Sequence, residues 1–188
     1  GRSFWIVSQA ETICDFPIIR ADLTRSAHAL YMLELLERFT FEEEQNELLF
    51  NLACDTLFRL EHDSDIYVIM RYFEMNLLQH CGYRPELNQC LRCRKRIEAQ
   101  DQYVSIPLGG ALCPDCGILE PSARSITMAV LKALRVLQRS SYTVLTGGVL
   151  PAQIRVETEE VMSQFVSHVA ERRLNAPRLI SQIKQHPH

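Results

Sequence analysis

The sequence predicts a mainly α-helical chain: a helical bundle with a four-cysteine zinc ribbon inserted into it. Three observations lead there. Apolar residues recur at spacings of three and four over much of the 188 residues. Short connections join these stretches, which favours antiparallel packing of neighbours. Finally, Cys90, Cys93, Cys113 and Cys116 stand in the pattern C-x2-C-x19-C-x2-C, a spacing that reads as a zinc site.

Taken in order, Ser3 to Ala10 is rich in aromatic and β-branched residues and reads as a strand. With no neighbour to pair with, it is expected to be the last strand of a domain cut away, rather than a strand docking on a later one. Asp22 reads as an N-cap, and Leu23, Ala27, Leu30, Tyr31, Leu33 and Leu36 set the apolar face of a helix to about Phe39. An acidic turn, Glu42-Glu43-Glu44, precedes a second helix from about Asn46 to Glu61, with Leu48, Leu49, Leu52, Ala53, Thr56, Leu57 and Leu60 as its stripe. A third runs from about Asp65 through Leu78 and stops near Gly82, with Pro85 just beyond. Ile66, Val68, Ile69, Phe73, Met75, Leu77 and Leu78 make it apolar on most sides, as the central helix of a bundle would be.

The metal module occupies about Asn88 to Leu119, where Gln102 to Ile106 alternates like a strand and Gly109-Gly110 turns it back into Ala111-Leu112. Ser125 is placed to cap a fourth helix, Ile126 to Arg139, whose face is Ala129, Val130, Ala133, Leu134 and Leu137. Thr143 to Pro151 reads as a loop, and a fifth helix spans about Val156 to Leu174 until Pro177 interrupts it. A short terminal helix, about Arg178 to Lys184, is expected to follow.

Two C-x2-C knuckles joined by a short hairpin supply the four thiolates that a tetrahedral Zn²⁺ takes at about 2.3 Å. With all four positions filled by protein, one zinc ion would be structural and would not activate water. Four free thiols, or two disulfides, are the other readings of the same residues. Gly117 offers a φ > 0 turn after the second knuckle, whereas Arg94 occupies the equivalent place after the first and implies mild strain there. Cys14, Cys54 and Cys81 are left over and read as reduced thiols, Cys54 on an apolar helical face. His80-Cys81 lacks knuckle spacing as an alternative ligand pair.

No apolar run approaches the roughly 20 residues that span a bilayer, so no membrane association is expected. Gly1 to Ala10 lacks the charged and apolar segments of a signal peptide, and a cytoplasmic setting is expected. Neither a phosphate loop nor a dinucleotide fingerprint, zinc-protease helix or nucleophile elbow is present, and the six histidines are scattered. His28 and His168 sit within helices with no nucleophile beside them. The sequence therefore argues against an enzyme.

Net charge is −3, but unevenly distributed: residues 1–90 carry 7 basic and 15 acidic side chains, residues 91–188 carry 13 and 8. Such asymmetry marks either a nucleic-acid face or two ordinary solvated surfaces. Two basic groups stand out as candidate phosphate contacts: Arg92, Arg94, Lys95 and Arg96 on the first knuckle, and Arg172, Arg173 and Arg178 about the end of the fifth helix. The second group also complements a helix dipole.

Arg71 to Cys93 contains an R-x-F-E-x-x-L-L helix, then Gly82-Tyr83-Arg84-Pro85-Glu86-Leu87, then the first knuckle. This stretch resembles the bacterial RecO recombination-mediator family. Leu108 to Cys116 is similar to the family's G-G-x-x-C-x-x-C, and Trp5 to Glu11 to the end of its N-terminal OB-fold. Arg94 departs from the family's usual glycine, and Arg172 to Ile180 matches its closing motif only loosely. The resemblance implies residues 1–12 as a remnant of the OB-fold, 13–87 and 120–188 as two parts of a helical domain, and 88–119 as the zinc ribbon. It also implies a DNA-repair mediator, without catalysis, that binds and anneals single-stranded DNA in the bacterial nucleoid. Its implied partners are a RecR-like protein, the tail of the single-stranded-DNA-binding protein and, indirectly, the recombinase RecA. Because OB-folds bind single strands by aromatic stacking, this chain is expected to bind DNA more weakly than a protein carrying one. The rival expectation is a zinc-stabilised interaction scaffold that never touches nucleic acid. Basic clusters on one continuous face would favour DNA; scattered ones would favour the scaffold.

Overall fold

The computed structural model describes residues 8–40 and 46–185, with side-chain environments as far as Glu171. The expected strand Ser3–Ala10 lies outside the described residues except for Ser8–Ala10, which form no strand; the acidic turn Glu42–Glu44 also lies outside. The chain is mainly helical: α1 (Pro17–Ala21), α2 (Leu23–Phe39), α3 (Glu47–His62), α4 (Ile66–His80), α5 (Pro114–Gly117), α6 (Met128–Arg139), α7 (Tyr142–Thr146) and α8 (Ala152–Gln185). Between α4 and α6 lies a small antiparallel sheet of β1 (Gln102–Ser105), β2 (Gly110–Leu112) and β3 (Ala123–Ile126), in the order β2-β1-β3.

Local chemistry sets the helix boundaries. The Asp22 side chain accepts a hydrogen bond from the Arg25 amide at 3.0 Å, Asn46 from Leu49 at 3.1 Å and Asp65 from Val68 at 3.2 Å, each relieving one orphan donor of a first turn. Gly82, at φ 79°, ends α4, and the Tyr83 amide returns to the Leu78 carbonyl at 2.8 Å. Helix α4 is the centre of the bundle. Ile69, Phe73, Met75, Leu77 and Leu78 are buried, and the helix packs against α2, α3, α6, α7 and α8. One apolar core runs from these residues into the ribbon through Leu87, Val104, Leu112 and Ile126.

Five expectations about the helices need correction. Helix α2 buries Ala29, Met32, Leu35 and Phe39, while Leu23, Leu30 and Leu33 face outward. Two apolar rows run side by side along this helix, and periodicity alone cannot choose between them; the positions of α3 and α4 do. Cys54 is exposed for a related reason, since the buried row of α3 is Leu49, Leu52, Thr56 and Leu60. Ser125 caps no helix: it belongs to β3, paired with Tyr103, and Thr127 caps α6 instead by accepting from the Val130 amide at 3.3 Å. Finally, α7 forms within the expected loop, and α8 continues through Pro177 to Gln185. A proline removes only one intrahelical donor, and the turns on either side keep theirs.

Gly117 is needed for space rather than for φ > 0. A Cβ built there would lie 2.2 Å from Cγ of Tyr103, against which the second knuckle rests. Gly117→Ala is therefore expected to push the Tyr103 ring aside and to cost about 1–3 kcal/mol by overpacking. Urea unfolding reads this, and an unchanged midpoint would count against the contact.

Candidate metal centre and basic groove

The first knuckle is a tight hairpin. The Arg94 amide donates to the Cys90 carbonyl at 2.9 Å and the Cys90 amide to the Lys95 carbonyl at 2.8 Å, while Ile97 N–H reaches Asn88 O at 2.8 Å. Closing it puts Arg94 at φ 63°, a left-handed conformation that costs a non-glycine residue roughly 1–2 kcal/mol; the strain expected there is present. The second knuckle is the single turn α5, where the Cys116 and Gly117 amides donate to the Cys113 carbonyl at 3.1 and 2.8 Å. Hydrogen bonds between Glu86 and the Gly109–Ala111 stretch bind the first knuckle's approach to β2. Gly110 permits this close approach, because a Cβ there would lie 2.2 Å from Glu86 O.

These two turns bring the four cysteines together. Their Sγ atoms lie within 4.8 Å of one another, with Cys93 Sγ and Cys113 Sγ 3.7 Å apart. A disulfide requires about 2.05 Å, so the pair is not bonded, and none of the four is in a disulfide. Four ligands about 2.3 Å from a tetrahedral centre would stand about 3.8 Å from one another. The arrangement suits a four-thiolate metal ion. Burial opposes ionisation of Cys90, but hydrogen bonds from the surrounding backbone outweigh it and bring its pKa down to about 6. Cys116 moves oppositely, up to about 12, through its hydrogen bond with Cys113 and then burial. The Cys90 thiolate forms readily, whereas burial raises the pKa of Cys113, and a bound cation would favour both thiolates.

The basic residues of the first knuckle do not act together. Arg92 Nη2 is paired with Glu120 Oε2 at 2.5 Å, across to the segment after the second knuckle. Arg94 and Arg96 turn into a groove of about 590 Å³, whose other cations are Arg135 and Arg139 of α6. Lys95 is exposed and outside the groove's lining. Arg135 is anchored: its Nε and Nη2 donate to the Leu87 carbonyl at 3.0 and 2.7 Å, and Nη2 also reaches Ile97 O at 3.1 Å. Burial, then the charges of Arg139 and Arg96, lower its pKa. Arg139 Nη2 donates to Asn88 Oδ1. Four guanidinium groups thus face one concavity in which Glu98 is the acidic side chain. Sequence reasoning missed Arg135 and Arg139, although their i, i+4 spacing puts both on one face of α6. The side chains of Arg172, Arg173 and Arg178 lie outside the described residues.

On another side of the bundle, α4, α6, α7 and the start of α8 enclose an apolar pocket of about 290 Å³, lined by Val68, Val136, Leu137, Leu145 and Ile154, with Lys132 among its lining residues. Arg155, also at this pocket, is held by Asp65 in a two-pronged pair at 2.6 and 3.0 Å. Among the described residues, no helix is long and apolar enough to cross a membrane.

A family model described as recombination protein O, C terminal, matches residues 20–178. The DNA repair protein RecO of Roseiflexus sp. is 31% identical over 185 residues, covering 98% of this chain and 65% of that protein. That of Dehalococcoides mccartyi is 33% identical over 172 residues, covering 92% and 68%. That of Syntrophomonas wolfei is 29% identical over 185 residues, covering 98% and 73%. The chain thus spans about two-thirds of the length of these relatives.

Proposed function

The chain belongs to the RecO family through the C-terminal part of that protein, and from this premise we propose that it forms the zinc-bearing helical body of a DNA-repair and recombination mediator that works by binding, not by catalysis. The observation that carries the reading is the gathering of Arg94, Arg96, Arg135 and Arg139 into one groove beside the metal centre. Several guanidinium groups on a rigid concave surface hold phosphates in register and read no sequence. No aromatic ring lines the groove, so stacking, the other means of gripping a single strand, is not available there. The metal is Zn²⁺, because four cysteine sulfurs at this spacing suit it and no open position remains for water. It locks the knuckle that carries Arg94 and Arg96.

Single-stranded DNA is the proposed ligand, with annealing as the activity and the bacterial cytoplasm and nucleoid as the setting. A salt series of fluorescence anisotropy with a labelled oligonucleotide tests it. Phosphate contacts from Arg94, Arg96 and Arg139 would give a slope near −2 in log K against log salt, at about −0.7 per phosphate for single strands. Arg96→Ala and Arg139→Ala are each expected to flatten that slope by about 0.7. Arg94→Gly, which relieves the left-handed strain, should do the same without loss of fold. No binding at low salt, or unchanged binding in the triple variant, would remove DNA from this groove.

The rival reading, an interaction scaffold without nucleic-acid contact, draws support from the apolar pocket. Its walls and Lys132 suit an acidic peptide tail ending in an aromatic residue, and we assign the tail of the single-stranded-DNA-binding protein to it. Both ligands fit one molecule, since groove and pocket have separate linings. A RecR-like partner and, through it, RecA complete the proposed pathway.

A further inference from the structure

A third pocket, of about 430 Å³, opens between α2, α4 and α8, and differs from the other two in charge. His28 and Tyr31 come from α2, Arg71 and Glu74 from α4, and Glu159, Glu160 and Ser163 from α8. Glu74 is fully buried, yet its carboxylate is only half used. Oε1 accepts from Tyr31 Oη at 3.0 Å and from Arg71 Nη2 at 2.7 Å; Oε2 has no partner. A buried carboxylate oxygen without a donor is costly. Glu159 reaches Arg71 Nη1 at 3.4 Å and Glu160 reaches Arg124 Nη2 at 3.6 Å, but both carboxylates are more than half exposed. Among the described residues, two exposed acids therefore open onto a pocket whose one lining arginine is Arg71, with Glu74 buried beneath them.

We infer that this pocket receives the guanidinium of an arginine presented by a basic partner protein, with Glu74 at its floor and Glu159 and Glu160 at its rim. The reading goes beyond the DNA groove and does not depend on it. Oε2 presents no surface of its own to the pocket, and Arg71 Nε beside it also lacks a partner, so the floor contributes a buried negative charge while the direct acceptors are the exposed carboxylates of Glu159 and Glu160. A metal ion is not favoured: among the described residues, only the four cysteines are gathered closely enough to hold one. Guanidinium is more weakly hydrated than ammonium and carries a fork of donors, so it enters beside a buried carboxylate at lower cost and spans to a second acid. The exposed Glu159 and Glu160 at the rim give this opening a negative potential that favours a basic partner.

The test uses the 188-residue chain labelled for amide NMR and three small probes: Nα-acetyl-arginine methylamide, its neutral citrulline isostere and its lysine counterpart. The arginine probe is expected to shift the amides of Tyr31, Glu74 and Ser163 and to saturate in the millimolar range, corresponding to about 4 kcal/mol. The citrulline probe should leave them unmoved and the lysine probe should bind more weakly. Glu159→Gln with Glu160→Gln, both on exposed side chains, should weaken arginine binding about tenfold while leaving the spectrum folded. Affinity should also rise from pH 6 to pH 8 as Glu74, held near 7 by burial, ionises. That rise should persist in His28→Gln and vanish in Glu74→Gln. Absence of shifts at these residues, equal binding of citrulline or lysine, or full affinity in the Glu159/Glu160 double variant would overturn the inference and leave a solvated pocket.

Discussion

Cys90→Ser is expected to abolish metal binding and to lower the melting temperature of the whole chain by about 10–20 °C. The size follows from what the metal holds. Strands β1, β2 and β3 are four, three and four residues long, too short to be stable as an isolated sheet. In small zinc domains, metal binding is folding energy, with apparent values of about 10–16 kcal/mol. Cys90 is also the ligand buried deepest, and its knuckle ties Leu91 N–H to Ala111 O at 3.1 Å. Losing even about 5 kcal/mol of this would move the midpoint by the stated amount, at about 2–4 °C per kcal/mol for a chain of this size. The shift should be global, because Val104, Leu112 and Ile126 belong to the same core as α4 and α6. Wild type should release one zinc per chain on thiol modification, the serine variant none. A serine variant that retains a full equivalent of zinc at an unchanged melting temperature would show that the cysteines do not form the site. The basic groove would suffer alongside, since Arg94 and Arg96 ride on the knuckle.

The four-cysteine cluster was legible in the sequence because its information is local: each knuckle spans four residues, and two copies of one spacing leave little freedom. The cap at Asp22 was legible for the same reason, since a side chain three residues before an amide needs no tertiary context. The basic groove was not. Arg94 and Arg96 are separated from Arg135 and Arg139 by about forty residues, and only the packing of α6 under the knuckle joins them. Knuckle charge alone also could not show that Arg92 folds against Glu120 rather than toward the groove. Strand β3 was hidden by Ser125, whose capping chemistry looks the same beside a helix as within a strand. The apolar rows of α2 show the same limit, since which row is buried depends on neighbours that the row does not encode.

Arg71→Met should cost about 3–5 kcal/mol at pH 8 and markedly less at pH 5, because its main effect is to strand Glu74 as a buried, unpaired charge. Arg71 Nη2 and Glu74 Oε1 are 2.7 Å apart, with side chains 7% and 0% exposed. Even with this partner, burial dominates: the Glu74 pKa is pushed up to about 7, the Arg71 charge and the Tyr31 hydrogen bond restraining it and Glu159 adding to the rise. A folded-state pKa above the unfolded one means that folding favours the protonated acid. Stability is therefore fully present below the ordinary carboxylate range and lost as pH rises through about 7. From an ordinary 4.5 to about 7 the swing is of order 3 kcal/mol. Removing Arg71 lifts the pKa further, which makes the penalty grow with pH rather than fall. Glu74→Gln should flatten the pH profile and restore most of the stability that Arg71→Met loses at pH 8, since the pair is coupled. Urea unfolding of wild type, both single variants and the double variant at pH 5 and pH 8 completes the cycle. A loss in Arg71→Met of the same size at both pH values would mean that the arginine stabilises by packing alone, and that the carboxylate beneath it stays neutral throughout.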